Sequence, residues 1–170
     1  MELYTVGHSN HPPEKFIGLL KDNLIFCIVD VRSTPLSLWA SFANRENLEK
    51  LLSAANIHYV YLGNLLGGLI TDPDSNKKTV RLKEYDTIRG EEYFSRGLNR
   101  LLAEAEKRRT CILCSEEDPC DCHRRLLIGT SLAAQGVQVL HIRGDGRLQS
   151  EEDLWKEEQR IDQSQILFPI

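Results

Sequence analysis

Short apolar segments alternate along the chain with segments in which apolar residues recur at helical spacing. The segment "LIFCIVDV" at 24–31 is almost continuously apolar, as expected for a parallel strand that is covered on both faces. Four further segments have the length and the apolar, β-branched or aromatic content of strands. The five predicted strands lie at 3–7, 24–31, 57–62, 110–114 and 137–142.

The segments between the predicted strands have the periodicity of amphipathic helices. In "RENLEKLLSAAN", for example, Leu48, Leu51 and Leu52 fall on one face, and Asn56 suits the left-handed position that ends a helix. The predicted helices lie at 12–23, 45–56, 91–108, 123–135 and 151–163.

A crossover after each of the first four strands indicates a mostly parallel sheet. We predict an α/β protein of the Rossmann-like, three-layer sandwich class, with a five-stranded sheet and helices on both faces. We expect a single domain over 1–170, with a long loop or lid at 63–90 and a C-terminal helix and tail at 151–170.

Composition narrows the classes of function. No apolar stretch approaches the roughly 20 residues that a membrane span requires. The formal net charge of −4 argues against a broad nucleic-acid-binding surface, although a local basic cleft would be compatible with it. Because no secretory leader is visible before the first strand, we expect a cytoplasmic protein. In a reducing compartment, its five cysteines point to metal, redox or catalytic chemistry more than to disulfides.

Ionisable or nucleophilic side chains follow four of the five predicted strands. Ligands of open parallel sheets bind beyond the carboxyl ends of the strands, so these residues predict a pocket. The candidates are Gly7, His8 and Ser9 after the first strand, Asp30 and Arg32 at the second, Cys114 and Glu116 at the fourth, and His141 and Arg143 at the fifth.

Asp30 and Arg32 lie two residues apart, so both side chains point to the same side of an extended backbone. They could form a structural ion pair. Alternatively, Arg32 holds a substrate phosphate or carboxylate while Asp30 orients it or accepts a proton. His8 is equally open to two interpretations, as a general acid or base or as a hydrogen-bonded anchor of its loop.

The segment "CSEEDPCDCHRR" at 114–125 combines three cysteines, a histidine and two arginines before a predicted helix. Cys114, Cys120, Cys122 and His123 could supply four zinc ligands, but their spacing is unusual, and we expect adjacent Cys122 and His123 to have difficulty reaching one ion. A helix that begins near 121–123 would instead offer free amides to an anion, with Arg124 adding charge and Cys114 as a nucleophile or ligand clamp.

The segment at 63–90 is longer than an ordinary connection in a compact domain, which is typical of lids and binding loops. Gly67 and Gly68 permit a close approach of the backbone. Positive charge and stacking for a bound anion or base could come from Arg81, Lys83, Tyr85 and Arg89. Alternatively, the segment at 63–90 is a solvent-exposed surface loop that takes no part in binding.

Four segments in order, "TVGHSN", "VDVRSTPLS", "YLGNLLGG" and "LCSEEDPCDCHRR", resemble the signatures of the bacterial and archaeal family called domain of unknown function 488. The resemblance extends from about residue 3 to 143. It implies that Gly7, His8, Ser9, Asp30, Arg32, Gly67, Gly68, Cys114, Glu116, Cys122, His123 and Arg124 correspond to the family's motifs. Cys120 is not part of the pattern, and no agreed activity comes with the family.

We therefore expect an enzyme that acts on a small anionic or nucleotide-like substrate. The predicted catalytic residues are His8, Asp30, Cys114 and Glu116, and the predicted binding residues are Gly7, Ser9, Arg32, Gly67, Gly68, Cys122, His123 and Arg124. No cofactor is predicted, because neither a dinucleotide-binding nor a Walker loop is present, and zinc is kept as an alternative. A non-catalytic metabolite, metal or redox sensor and a nucleic-acid-associated protein are the alternative functions. Homo-oligomerisation is left open, and no membrane partner is expected.

Overall fold

The structure is a computed structural model that describes residues 1–68, 70–71, 78–79 and 84–167. Its strands are β1 (Glu2–Gly7), β2 (Cys27–Asp30), β3 (His58–Tyr61), β4 (Ile70–Thr71), β5 (Lys78–Thr79), β6 (Thr110–Cys114), β7 (Gln138–Ile142) and β8 (Leu148–Ser150). Its α-helices are α1 (Pro13–Asp22), α2 (Arg45–Ala54), α3 (Gly63–Leu66), α4 (Glu84–Arg89), α5 (Glu92–Lys107), α6 (Thr130–Ala133) and α7 (Glu151–Leu167). Short 3₁₀-helices span Ser41–Ala43 and Pro119–Asp121, and a π-helical segment spans Arg124–Gly129.

The main sheet has the strand order β3-β2-β6-β1-β7-β8. The first five of these strands pair in parallel, which confirms the predicted α/β architecture. The sheet contains six strands rather than five, because β8 pairs antiparallel with β7. A tight turn joins these two strands, and Gly146 adopts a φ of +91° within it. The dipeptide Asp145-Gly146 is a hairpin signal that sequence reasoning did not use.

Helices cover both faces of the sheet because alternate strand residues point to opposite sides. On one face, Tyr4, Ile28 and Leu113 pack with Phe16 of α1 and Leu48 of α2. On the other face, one buried cluster joins the sheet to α5 and to the helical segment after residue 123; it contains Leu3, Val29, Ile112, Leu101, Leu127 and Leu132. The three-layer arrangement that the sequence predicted is therefore present.

The segment at 63–90 contains more regular structure than a predicted loop would. Helix α3 follows β3 directly, β4 and β5 form a small antiparallel pair, and α4 leads to α5. Arg81 and Lys83, considered above as ligands of an anion, lie outside the described residues. The predicted C-terminal helix is α7, and the last three residues of the tail also lie outside them. None of the helices in the described ranges is long and apolar enough to cross a membrane.

Candidate functional site

Three neighbouring strands, β2, β6 and β1, end at the same edge of the sheet and position the candidate site. A cleft of about 240 Å³ opens there, which is enough for a group the size of a phosphate or carboxylate and a small attached moiety. Its lining residues are Arg32, Ser33, Thr34, Gly68, Tyr85, Cys114, Ser115, Glu116, Asp121 and His123.

Arg32 and Asp30 form a buried, bidentate ion pair at the end of β2. Arg32 Nε lies 2.9 Å from Asp30 Oδ1, and Arg32 Nη2 lies 2.6 Å from Asp30 Oδ2. The Asp30 carboxylate also accepts hydrogen bonds from the Arg32 amide and from the Tyr59 hydroxyl. Asp30 is therefore fully engaged, and it holds the guanidinium plane in a fixed orientation.

The third nitrogen of the Arg32 guanidinium has no such partner. Nη1 is buried and lacks a hydrogen-bond partner among the described residues, although Arg32 itself lines the cleft. Buried polar groups are nearly always hydrogen-bonded, so an unpaired donor in a cleft wall points to a ligand. Of the two alternatives drawn from the sequence, the ion pair is present, and the free Nη1 leaves substrate binding by Arg32 as a prediction.

Cys114, Glu116, Cys122 and His123 form a compact cluster, and all of them except Cys122 line the cleft. Cys114 Sγ lies 3.1 Å from Glu116 Oε2 and 3.5 Å from His123 Nδ1. Cys122 Sγ lies 3.2 Å from the same Glu116 oxygen. Burial raises the pKa of Glu116, but hydrogen bonds from the two thiols outweigh it, so the pKa is below its ordinary value. The neighbouring Cys114 thiol and burial raise the pKa of Cys122.

His123 is held in one orientation by two contacts. Its Nε2 lies 3.2 Å from the backbone carbonyl oxygen of Val31. Because a carbonyl can only accept, Nε2 carries the proton, and Nδ1 presents a lone pair to Cys114. A Cβ atom on Gly68 would lie 2.6 Å from the ring carbon Cγ of His123. Glycine at 68 therefore permits the close packing that fixes the ring.

The residues at the end of β1 do not line the cleft. Gly7, His8 and Ser9 instead contact the loop that follows β6. His8 is buried, and its Nδ1 lies 2.8 Å from the carbonyl oxygen of Ser9, so Nδ1 donates and Nε2 holds a free lone pair. Burial lowers the pKa of His8. The Ser9 amide donates to the Ser115 carbonyl, which ties the two loops together. A Cβ on Gly7 would lie 1.7 Å from the Glu116 carbonyl oxygen, so this position accepts only glycine.

Arg124 does not reach the cleft. It is fully buried, and its guanidinium donates to the Thr5 hydroxyl and to the backbone carbonyls of Glu116 and Glu117. It therefore shapes the loop that carries Glu116.

Gly67 also does not line the cleft. Its lack of a side chain allows close packing, because a Cβ there would lie 2.2 Å from Ser33 Oγ.

The helix start offers fewer free amides than we expected. The amides of Cys122, Arg125 and Leu126 donate to the carbonyls of Pro119 and Cys122. The helix also begins with the π-helical segment, a feature that often occurs at functional sites. Of the positive groups predicted for an anion, Arg32 is the one that lines the cleft among the described residues.

Several residues lie elsewhere than the sequence suggested. Cys120 lies apart from the thiol cluster, with its sulfur 3.4 Å from Arg125 Nη1. His141 and Arg143, which end β7, also lie outside the cleft. Arg143 pairs with Glu117, and His141 bonds to Thr5 and Glu151. Cys122 and His123, which we expected to have difficulty reaching one ion, bring ligand atoms within 4.8 Å of each other and of Cys114 Sγ.

Tyr59 and Asp121 are residues of the site that sequence reasoning missed. The Tyr59 hydroxyl lies 2.9 Å from Asp30 Oδ2, across the pairing of β3 with β2. Only the strand order brings them together, so no local signal was available. Asp121 lines the cleft from the 3₁₀-helix, and its place in "CDCHRR" was the available signal.

The fold and the cleft define an α/β protein of the Rossmann-like class whose polar residues gather at the carboxyl edge of the sheet. Residues 12–130, more than half of the chain, match the sequence profile of a family described as domain of unknown function DUF488. The chain therefore belongs to this family, as the four sequence motifs predicted. Comparisons with curated proteins and with solved structures gave no match.

Proposed function

We propose that the protein is an enzyme that acts on a small anionic or nucleotide-like molecule bound in the cleft. The observation that carries this proposal is the free Nη1 of Arg32, a buried guanidinium donor in the wall of a polar cleft. Asp30 and Tyr59 hold the guanidinium in place, so little side-chain entropy is lost when an anionic group binds to it.

The reacting groups line the same cleft as Arg32. Cys114, Glu116 and His123 all line the cleft, and the Cys114 sulfur is within 3.5 Å of both the carboxylate and the imidazole. Groups at such distances can exchange protons with each other and with a bound molecule. His8 does not line the cleft, but its unpaired Nε2 is a further acceptor, and the ring is near enough to Arg32, Asp30 and Glu116 for their charges to affect its pKa.

A binding or sensing module is the second candidate. It is favoured by the proximity of the Cys114 and Cys122 sulfurs, because paired thiols respond to metals and oxidants. Nucleic-acid binding is not favoured by the cleft, since its lining includes two carboxylates and one arginine.

The first test is anion binding by the wild type and by the variant Arg32→Lys. Thermal unfolding is followed with inorganic phosphate and with nucleoside monophosphates as probes. At least one probe should raise the melting temperature of the wild type. Lysine keeps the charge beside Asp30 but has no fork of donors, so binding should weaken by about 10- to 100-fold.

Arg143→Lys is the matched control, because Arg143 also makes a bidentate pair with a carboxylate but lies outside the cleft. This control should bind the probe as the wild type does. Equal weakening in both variants, or no stabilisation of the wild type by any probe, would reject the cleft as an anion site.

The second test separates an enzyme from a sensor. Any compound that binds is incubated with the wild type and with Cys114→Ser, and its conversion is followed by mass spectrometry. An enzyme should convert the compound, and the serine variant should retain affinity but lose conversion. Binding without conversion by the wild type would favour the sensing module.

A further inference from the structure

The thiol cluster has the geometry of a metal-binding site. Cys114 Sγ, Cys122 Sγ and a ring nitrogen of His123 all lie within 4.8 Å of one another, and the His123 nitrogen nearest to Cys114 Sγ by hydrogen bond is Nδ1. Zinc binds sulfur at about 2.3 Å and imidazole nitrogen at about 2.0 to 2.1 Å, so ligand atoms around one ion are about 3.5 to 3.8 Å apart. The observed distance of 3.5 Å between Cys114 Sγ and His123 Nδ1 is within this range.

The histidine is oriented as a metal ligand would be. In metal sites, the second ring nitrogen of a histidine usually donates to a carbonyl or carboxylate, which fixes the tautomer and the ring plane. His123 Nε2 makes this contact with the Val31 carbonyl, and Gly68 packs against the ring. Nδ1 is thereby directed towards Cys114 without any metal being needed to hold it.

The donor set selects the kind of metal. Two thiolates and an imidazole favour zinc over magnesium or calcium, which prefer oxygen ligands. Two thiolates also balance the charge of a divalent cation, which suits sulfurs as buried as those of Cys114 and Cys122. Cys120, a ligand candidate on sequence grounds, is not in the cluster, so three ligands converge rather than four.

The fourth position of such a centre would face the cleft. Cys114 and His123 line the cleft, as does Glu116, whose carboxylate approaches both sulfurs. Three protein ligands with one open position are characteristic of catalytic zinc sites, whereas structural sites use four. A carboxylate beside the open position can accept a proton from a water bound there.

We propose that Cys114, Cys122 and His123 form a zinc site whose open coordination position faces the Arg32 side of the cleft. Zinc binding itself does not depend on the proposed function. Only the step in which the ion acts on an anion held by Arg32 rests on that function.

The test is the metal content and metal affinity of the full-length chain. The wild type is loaded with zinc, dialysed and analysed by mass spectrometry for metal, and cobalt is then substituted for zinc. We expect one zinc per chain, and a cobalt spectrum with thiolate charge-transfer bands. Cys122→Ser and Cys114→Ser should each lower zinc affinity by at least about 100-fold and weaken these bands.

Cys120→Ser is the matched control, since it removes a cysteine from the same loop but not from the cluster, and it should retain one zinc. Gly68→Ala, which presses on the His123 ring, should lower affinity by about 10- to 100-fold with both cysteines present. Circular dichroism of the metal-free variants identifies any that fail to fold. A wild type that retains well under one zinc, or a Cys120→Ser variant that loses zinc equally, would overturn the proposal.

The variant Arg32→Lys distinguishes failure of this inference from failure of the proposed function. It should keep one zinc per chain while losing anion affinity. Zinc binding by a wild type that binds no anion would remove the proposed function and leave the metal site. Anion binding by a wild type without zinc would remove the metal site alone.

Discussion

Two buried polar regions lie on either side of β1, and they differ in how completely they are paired. The first, which we call the Arg124 network, comprises Thr5, Arg124, His141 and Glu151. The Thr5 hydroxyl lies 2.7 Å from His141 Nδ1 and 3.3 Å from Arg124 Nε, and His141 Nε2 lies 2.8 Å from Glu151 Oε1. Every side-chain nitrogen of Arg124 and His141 therefore has a partner.

The second region is the cleft together with His8, which adjoins it, and its pairing is incomplete. His8 Nε2 and Arg32 Nη1 are buried without hydrogen-bond partners in the described part of the chain. An unpaired buried polar group costs about 1 to 3 kcal/mol. The Arg124 network avoids this cost, whereas the cleft region carries it at two atoms; His11 Nε2, which lies against Gly144, is a third such atom elsewhere in the described residues. The comparison indicates that the Arg124 network maintains the fold, and the unpaired groups at the cleft support the proposal that a ligand binds there.

The largest expected effect is loss of stability in Arg124→Met. This variant removes the donor to Thr5 and to the carbonyls of Glu116 and Glu117; Thr5 keeps its contact with His141, but the two buried carbonyls lose this partner. We expect the free energy of unfolding to fall by about 3 to 5 kcal/mol, measured by urea denaturation. Arg100→Met on the exposed face of α5 is the control, with an expected change within about 0.5 kcal/mol. A loss below about 1 kcal/mol for Arg124→Met would contradict a structural role of the network.

A smaller effect is expected from acidification of the same network. Burial lowers the pKa of His141 below 6.5, although Glu151 opposes this, and Arg124 and Arg125 also face the ring. Below about pH 6.5 the unfolded chain therefore binds more protons at this position than the folded chain does. The free energy of unfolding should fall with decreasing pH, by at most about 1.4 kcal/mol per pH unit for this histidine.

The measurement is urea denaturation from about pH 7.5 down to about pH 5, for the wild type and for the variant His141→Gln. The variant should be less stable at neutral pH and should show a smaller slope. His8 and His11 also have lowered pKa values and contribute to both proteins alike. Identical slopes in the two proteins would show that His141 is not the titrating group.

The smallest expected effect is that of His8→Asn, beside the cleft. Asparagine can keep a donor for the Ser9 carbonyl while removing the unpaired Nε2, so stability should change by about 1 kcal/mol or less. Urea denaturation beside Arg124→Met gives the direct comparison of the two regions. A loss above about 2 kcal/mol would mean that His8 is a structural residue like His141, and the distinction between the regions would fail.

Hydrophobic periodicity was sufficient to predict the longer elements of the fold but not the short ones. The apolar segment at 24–31 contains β2, and "RENLEKLLSAAN" contains α2. The strand β8 was missed because three residues carry too little pattern to be distinguished from a loop. The short helices α3 and α4 were missed for the same reason.

The site could be predicted only to the level of which residues end the strands. Arg32 and Cys114 were expected in a pocket and line one. Arg124 was expected there too, but it is buried in the network, since the direction of a long side chain depends on acceptors from distant loops. Glu116 rather than Cys120 lies beside the two sulfurs because the loop at 115–121 folds back over β1, which no spacing rule describes.

The sequence by itself determined the alternation of strands and helices, the apolar bodies of the strands and the polar residues that follow them, because these depend on neighbours along the chain. The tertiary structure decided which of those residues meet. The order β3-β2-β6-β1-β7 places the ends of β2, β6 and β1 side by side and directs the end of β7 into the Arg124 network. Pairing among polar side chains depends on distances through space between segments that are far apart in sequence, and those distances exist only in the folded chain.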